Sequence, residues 1–261
     1  RLRRPLLYPA ELRTHEVLLF KQTFSIISSH LTIFKTHSHF YVIIFPVMKK
    51  ITTIIFDMDG TVLNTLDDLT DSVNYVFSKF DLPARSREEF RQFFGNGIGY
   101  AMKCAAPEGT PDSLIAAMIP VFKEHYDKHC LDKTEPYDGI LNLMKELNAR
   151  GYKMAIVSNK IDSAVKELNE RFFSEYVSVA IGEKNGINRK PAPDTVFAAL
   201  DELGSTADEA VYIGDSEVDL MTAKNSNLPC IAVLWGFRNK DCLIKNGASA
   251  FAKTPEDIIS Y

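Results

Sequence analysis

From residue 51 onward, the apolar positions of this 261-residue chain fall into two alternating spacings. Short β-rich apolar runs recur at 51–56, 152–157, 177–181, 210–213 and 230–234, and each reads as a buried strand. Between the later runs, apolar residues return every three or four positions. That spacing predicts helices over 140–150, 161–172, 193–203 and 217–225, with Gly151 and Gly204 following two of them as helix-ending residues. Regular strand–helix alternation predicts an α/β fold built on a mostly parallel, doubly wound sheet.

The stretch 64–135 breaks the alternation, because no strand signal occurs in it. Leu66, Leu69, Val73, Val76, Phe77 and Phe80 recur at helical spacing behind Asn64 or Thr65 as a cap, and Pro83 ends the run. Further helices are expected over 86–94, 98–106 and 111–130. The chain therefore reads as a core of 48–63 and 136–261 carrying an inserted α-helical domain of 64–135. Residues 1–47 show no clear helical or strand period and precede Met48-Lys49-Lys50, which resembles a natural start. They are expected to be an N-terminal extension outside the fold.

Composition narrows the function classes. Hydrophobic content of 46% and charged content of 25% are ordinary for a globular protein. Residues 1–47 hold six Lys/Arg and two Asp/Glu, which leaves 24 against 32 in the other 214 residues, a balance of −8. An acidic body argues against a nucleic-acid partner. His30, Lys35, His37 and His39 interrupt the one candidate membrane stretch, 24–47, so no membrane partner is expected. His37 and His39 have no acids around them to complete a metal site. The four cysteines show neither Cys-x-x-Cys nor a disulfide framework, which suits reduced thiols and a cytoplasmic location. Oligomeric state is not readable from the chain.

The chemistry gathers where strands end, since ligands of open α/β sheets bind at the carboxyl ends of the strands. The first run stops at Asp57-Met58-Asp59-Gly60-Thr61, two carboxylates one residue apart followed by a tight turn. They suit an Asp nucleophile, a second Asp for proton transfer, a hard cation and a phosphate ligand. The second run ends in Ser158-Asn159, a hydroxyl and an amide placed to donate to phosphate oxygens or simply to cap a helix. Lys190, fixed by Pro191, can offset the charge of nucleophile and phosphate. The fourth run ends in Gly214-Asp215-Ser216, with Asp219 one helical turn on. Asp57 and Asp215 could supply the one or two carboxylates that Mg²⁺ prefers.

This ordered set resembles the four motifs of the haloacid dehalogenase superfamily, and the resemblance spans 48–261, including a helical cap inserted after the first motif. It implies a Rossmann-like core and a Mg²⁺-dependent phosphatase. By that resemblance, Asp57 attacks phosphorus. Asp59 acts as acid and then base and gives its backbone carbonyl to the metal. Gly60, Thr61, Ser158 and Asn159 meet phosphoryl oxygens, Lys190 bridges phosphate and nucleophile, Asp215 ligates Mg²⁺, and Asp219 orders the metal's water shell. Phosphoglycolate phosphatase-like members carry a similar glycine loop, so Gly95-Asn96-Gly97 is expected to face the site and select a small phosphorylated metabolite. A β-phosphoglucomutase-like mutase or a pyrophosphatase would keep the same residues. A dehalogenase would lack Asp59, and a receiver-like signalling domain would lack the inserted helices. His125 and His129, four apart, read as ordinary residues of the inserted helices.

Overall fold

The computed structural model describes residues 50–260 in full and, within residues 1–49, the backbone of three strands. β1 (Leu7–Ala10), β2 (Leu31–Thr36) and β3 (His39–Ile44) pair antiparallel in the order β1-β3-β2. The sequence does not announce these strands, because aromatic, Ser and Thr residues are mixed there without alternation. His37 and Met48 lie outside the described residues. The chain divides into two compact units, 1–49 and 50–261.

In the second unit, β4 (Thr53–Phe56), β7 (Lys153–Ile161), β8 (Val179–Glu183), β9 (Ala210–Gly214), β10 (Cys230–Val233) and β11 (Phe251–Ala252) form one parallel sheet in the order β11-β10-β9-β4-β7-β8. Side chains alternate across it as strand geometry requires. Ile54, Phe56, Met154, Ile156, Val211 and Ile213 enter one core, and Ile55, Ala155, Val157 and Tyr212 the other. α5 (Ile140–Ala149) and α6 (Asp162–Phe172) cover the first face, while α7 (Asp194–Leu203) and α8 (Glu217–Asn225) cover the second. The doubly wound α/β expectation holds.

The insertion contains α1 (Leu66–Lys79), α2 (Arg87–Arg91), α3 (Ile98–Ala105) and α4 (Asp112–His129) around their own core of Val73, Phe77, Phe90, Met102, Met118 and Phe122. Phe237 and Ala164, from the sheet side, join that core and seat the helices over the strand ends. The chain leaves and re-enters through a two-stranded ribbon, β5 (Leu63–Asn64) against β6 (Glu135–Pro136). The expectation of no strand there fails only at this junction, where two residues per strand are too few to show a period. Buried Asp68 accepts from the N–H groups of Lys133 and Thr134 at 3.0 and 2.9 Å, fixing the returning segment to α1.

Some boundaries also shift, and α2 stops three residues short of its expected end. β7 runs four residues past the expected end, to Ile161, with an irregular register against β8 between Val157 and Ile161. β8 lies two residues later than its apolar run suggests. The last 27 residues, without a sequence expectation, add α9 (Lys240–Lys245), β11 and α10 (Pro255–Ile258).

Candidate active site

Asp57 at the end of β4, residues of β7 and β9, and the loop after β8 meet at one point. Lys190, 3% exposed, places Nζ 2.6 Å from Asp57 Oδ1 and 2.8 Å from Asp219 Oδ1, and donates to Tyr212 Oη at 3.0 Å. Its peptide bond to Pro191 is cis. Burial disfavours the ammonium, but Asp219 and Asp57 outweigh burial and hold Lys190 well above its ordinary range. Both Asp219 oxygens are engaged. Oδ1 takes Lys190 and the Tyr212 hydroxyl, and Oδ2 accepts from the Ser216 hydroxyl at 2.6 Å and from the N–H groups of Asp215 and Ser216. Burial alone would raise Asp219; Lys190, with these hydroxyls, holds it below the usual carboxylate range instead.

Asp57 and Asp215 behave oppositely. Burial, then repulsion from Asp219, pushes Asp57 well up against the pull of Lys190. The same two causes lift Asp215 to about 7, although the Phe237 N–H donates to its Oδ2 at 2.6 Å. Asp57, Asp215 and Asp219 each bring a carboxylate oxygen within 4.8 Å of the others. One lysine balances three buried carboxylates, which leaves a deficit of positive charge among hard oxygen donors. A divalent cation such as Mg²⁺ fits that deficit. The Asp59 side chain stands apart from this group.

Glycines make the approach possible. A Cβ on Gly60 (φ +83°) would fall 2.3 Å from Asp215 Oδ2, and one on Gly236 2.4 Å from Asp215 Cβ. The Gly60 N–H donates to Leu63 O and the Thr61 N–H to Met58 O, so the turn itself uses both. Gly60 is thus required where Asp215 comes close. Thr61 Oγ1 is buried with no hydrogen-bond partner.

The other expected residues line one chamber. Asp57, Asp59, Ser158, Asn159, Gly95 and Gly97 face it together with apolar Leu69, Phe94, Ile98 and Phe122, around about 540 Å³ that includes its open mouth. Ser158 Oγ accepts from the Lys160 N–H at 3.1 Å and lies 3.5 Å from Asp59 Oδ2. Asn159 spends its amide nitrogen on Gly95 O and Lys190 O, leaving Oδ1 as its open polar atom. Asn96 is not among the lining residues, although its two glycine neighbours are. His125 and His129 lie elsewhere on α4, stacked on each other, with Tyr75 stacked on His125.

Besides Tyr212, three residues carry no expectation from the sequence. Lys160 and Tyr126 line the chamber, and Lys160 pairs with Asp59 at 3.0 Å; burial opposes its ammonium, but Asp59 and Tyr126 outweigh burial and raise it. Two residues beyond Ser158, Lys160 carried a signal only in its nearness to a chemical strand end. Arg238 links the sheet to the insertion. It forms a bidentate pair with Glu217 and donates to Arg91 O and Phe94 O at 3.0 and 2.9 Å.

A family model described as haloacid dehalogenase-like hydrolase matches residues 54–233, which include Asp57, Ser158, Lys190, Asp215 and Asp219. The chain belongs to the haloacid dehalogenase-like hydrolases. Among its relatives in this family, a phosphoglycolate phosphatase of Mesorhizobium japonicum is 31% identical over 72% of this chain and 84% of its own length. The pyrophosphatase PpaX of Bacillus pumilus is 29% identical over 81% of this chain and 96% of its own. A crystal structure from Lactobacillus delbrueckii subsp. bulgaricus superposes with TM-score 0.77 at 40% identity, covering 80% of this chain and 97% of that one. Family and relatives bear out the reading of a phosphoric monoester hydrolase, phosphoglycolate phosphatase-like in kind. Among the described residues, no helix is long and apolar enough to cross a membrane.

Proposed function

We propose that this hydrolase cleaves a small phosphomonoester, with 2-phosphoglycolate as the leading candidate, through a phosphorylated Asp57, with Mg²⁺ as cofactor and in the cytoplasm. The convergence of Lys190, Asp57 and Asp219 within 2.8 Å, beside Asp215, carries the reading. Lys190 holds Asp57 Oδ1, which leaves Oδ2 as the attacking oxygen. A new Oδ2–P bond forms as the ester P–O bond breaks, and Asp59 gives the leaving alkoxide a proton. Asp59 then takes a proton from water as the water oxygen bonds to phosphorus and the acyl phosphate bond breaks. Asp57 is regenerated and phosphate leaves. Ser158 binds a phosphoryl oxygen, and the Lys190 ammonium, held on Asp57, offsets the charge of nucleophile and phosphate.

Asp57 and Asp215 would hold the metal, with the Asp59 carbonyl, while Asp219 holds Lys190 and Tyr212 and orders the surrounding water. When bound, Mg²⁺ supplies the positive charge that the three acids lack and that the phosphate would lack in turn. The helices of 64–135 act as a cap that excludes water, and the Gly95–Gly97 turn sets specificity. Pyrophosphate is a second substrate reading, favoured by the PpaX relative, whose length this chain nearly spans.

Phosphate release from a panel led by 2-phosphoglycolate and pyrophosphate, in Mg²⁺ and in EDTA, tests this. Release confined to Mg²⁺ and lost in Asp57→Asn and Asp59→Asn is expected. Isomerisation of a sugar phosphate without net phosphate release would overturn it in favour of a mutase.

A further inference from the structure

The short contacts that hold Asp59 fall on one oxygen, and one of them comes from the insertion. The Thr65 hydroxyl donates to Asp59 Oδ1 at 2.7 Å, so the residue at the start of α1 gives its side chain to Asp59 and not to the helix. Lys160 Nζ lies 3.0 Å from the same oxygen. Oδ2 is left facing Ser158 and the chamber. Lys160 is itself fixed by Tyr126 of α4, whose hydroxyl accepts from Nζ at 2.7 Å and whose ring centroid lies 4.4 Å from it. Lysine is a flexible stem that takes one geometry only where partners impose it. Here Lys160 and Tyr126 are buried and Asp59 is only partly exposed, and Tyr126 belongs to a different part of the chain.

We propose that Lys160 is a positioning residue for Asp59, and that Tyr126 makes this positioning depend on the insertion being seated over the sheet. The proposal rests on the reading of Asp59 as the acid and base. Proton transfer demands that a single carboxylate oxygen stay within hydrogen-bond reach of the reacting atom. Lys160 and Thr65 together stop the carboxylate from rotating, and the buried ammonium faces the negative charge that Asp59 acquires when it protonates the alkoxide. If α4 lifts away, Tyr126 leaves with it, and Lys160 loses both its hydroxyl and its ring.

Two esters separate this role from substrate binding or plain stability. The leaving group of p-nitrophenyl phosphate needs no proton, so Asp57 is phosphorylated without help from Asp59, whereas release of an alkoxide needs Asp59 in both steps. Wild-type turnover of both esters with Mg²⁺ checks the underlying phosphatase reading on its own. Lys160→Met is then expected to give a burst of about one nitrophenolate per site, followed by a steady state slower by about tenfold to a hundredfold. On the alkyl phosphate it should show no burst and a kcat reduced at least as much, with KM nearly unchanged. Tyr126→Phe, which keeps the ring and loses the hydroxyl, should shift both readouts the same way by a smaller factor. If thermal melting shows Lys160→Met unfolded, Tyr126→Phe decides alone. A raised KM with unaltered kcat, or an equal loss on both esters without a burst, would overturn the proposal.

Discussion

Gly182 of β8 lies against the backbone that carries Lys160: a Cβ there would fall 2.6 Å from the Lys160 carbonyl oxygen and 2.5 Å from Asp162 Cα. The irregular register between Val157 and Ile161, which turns Ser158, Asn159 and Lys160 into the chamber, depends on this close approach. Backbone cannot swing aside as a long side chain can. Gly182→Ala is therefore expected to cost about 1–3 kcal/mol, the usual range for overpacking. Urea denaturation measures the stability, and turnover should fall as the 158–160 segment moves. An unchanged midpoint with full activity would contradict this account.

Tyr212 gives the second prediction. Its hydroxyl accepts from Lys190 and donates to Asp219 in a fully buried setting. Phe keeps the volume but leaves one acceptor and one donor short, so Tyr212→Phe should lose about 1–3 kcal/mol. Activity should drop less than in Lys190→Met, which leaves both Asp57 and Asp219 without their cation. The two variants compared by melting and by turnover check this order.

Arg238 provides the third. Its bonds to Arg91 O and Phe94 O hold the segment that leads into the Gly95–Gly97 turn. Arg238→Met keeps much of the stem and removes these bonds. We expect faster amide hydrogen exchange across residues 91–98 and a higher KM, since that segment walls the chamber. Exchange unaltered in that segment would show that the turn is held by other contacts.

Metal should act on the fold as well as on the chemistry. Repulsion among Asp57, Asp215 and Asp219 is built into the folded state, and a bound divalent cation relieves it. Mg²⁺ at a hundred times its Kd should add about 2.7 kcal/mol to stability. EDTA should reverse the gain and abolish turnover, while Asp215→Asn should be more stable than wild type without Mg²⁺ and gain little from it. Thermal melts across a Mg²⁺ series read the stabilities, and phosphate release in EDTA reads the turnover.

The sequence makes part of this site visible and hides part for identifiable reasons. Asp57, Ser158 and Asp215 stand out because apolar runs stop at them, and a parallel sheet brings strand ends together; Lys190, in the loop after β8, stands out only through Pro191 beside it. Tyr212 is hidden inside such a run, where a tyrosine reads as a strand former until Lys190 and Asp219 are seen around its hydroxyl. Lys160 looks like a surface lysine, since nothing in its neighbourhood foretells that Tyr126, 34 positions earlier, will cover it. The roles of Gly60 and Asn159 differ in a similar way. The residue types imply donors for an anion, whereas the structure has Gly60 making room for Asp215 and Asn159 tying Gly95 to Lys190.

The β5–β6 ribbon sets the insertion's two ends side by side, Leu63 opposite Pro136 and Asn64 opposite Glu135. A segment that begins and ends at one point can lengthen, shorten or be exchanged without altering the register of the strands beneath it. Evolution could thus rebuild the roof over this sheet and leave the phosphorus chemistry alone, with one condition. Whatever replaces α4 must bring back a group that does for Lys160 what Tyr126 does, so changes of specificity and retention of rate would be linked through a single hydroxyl.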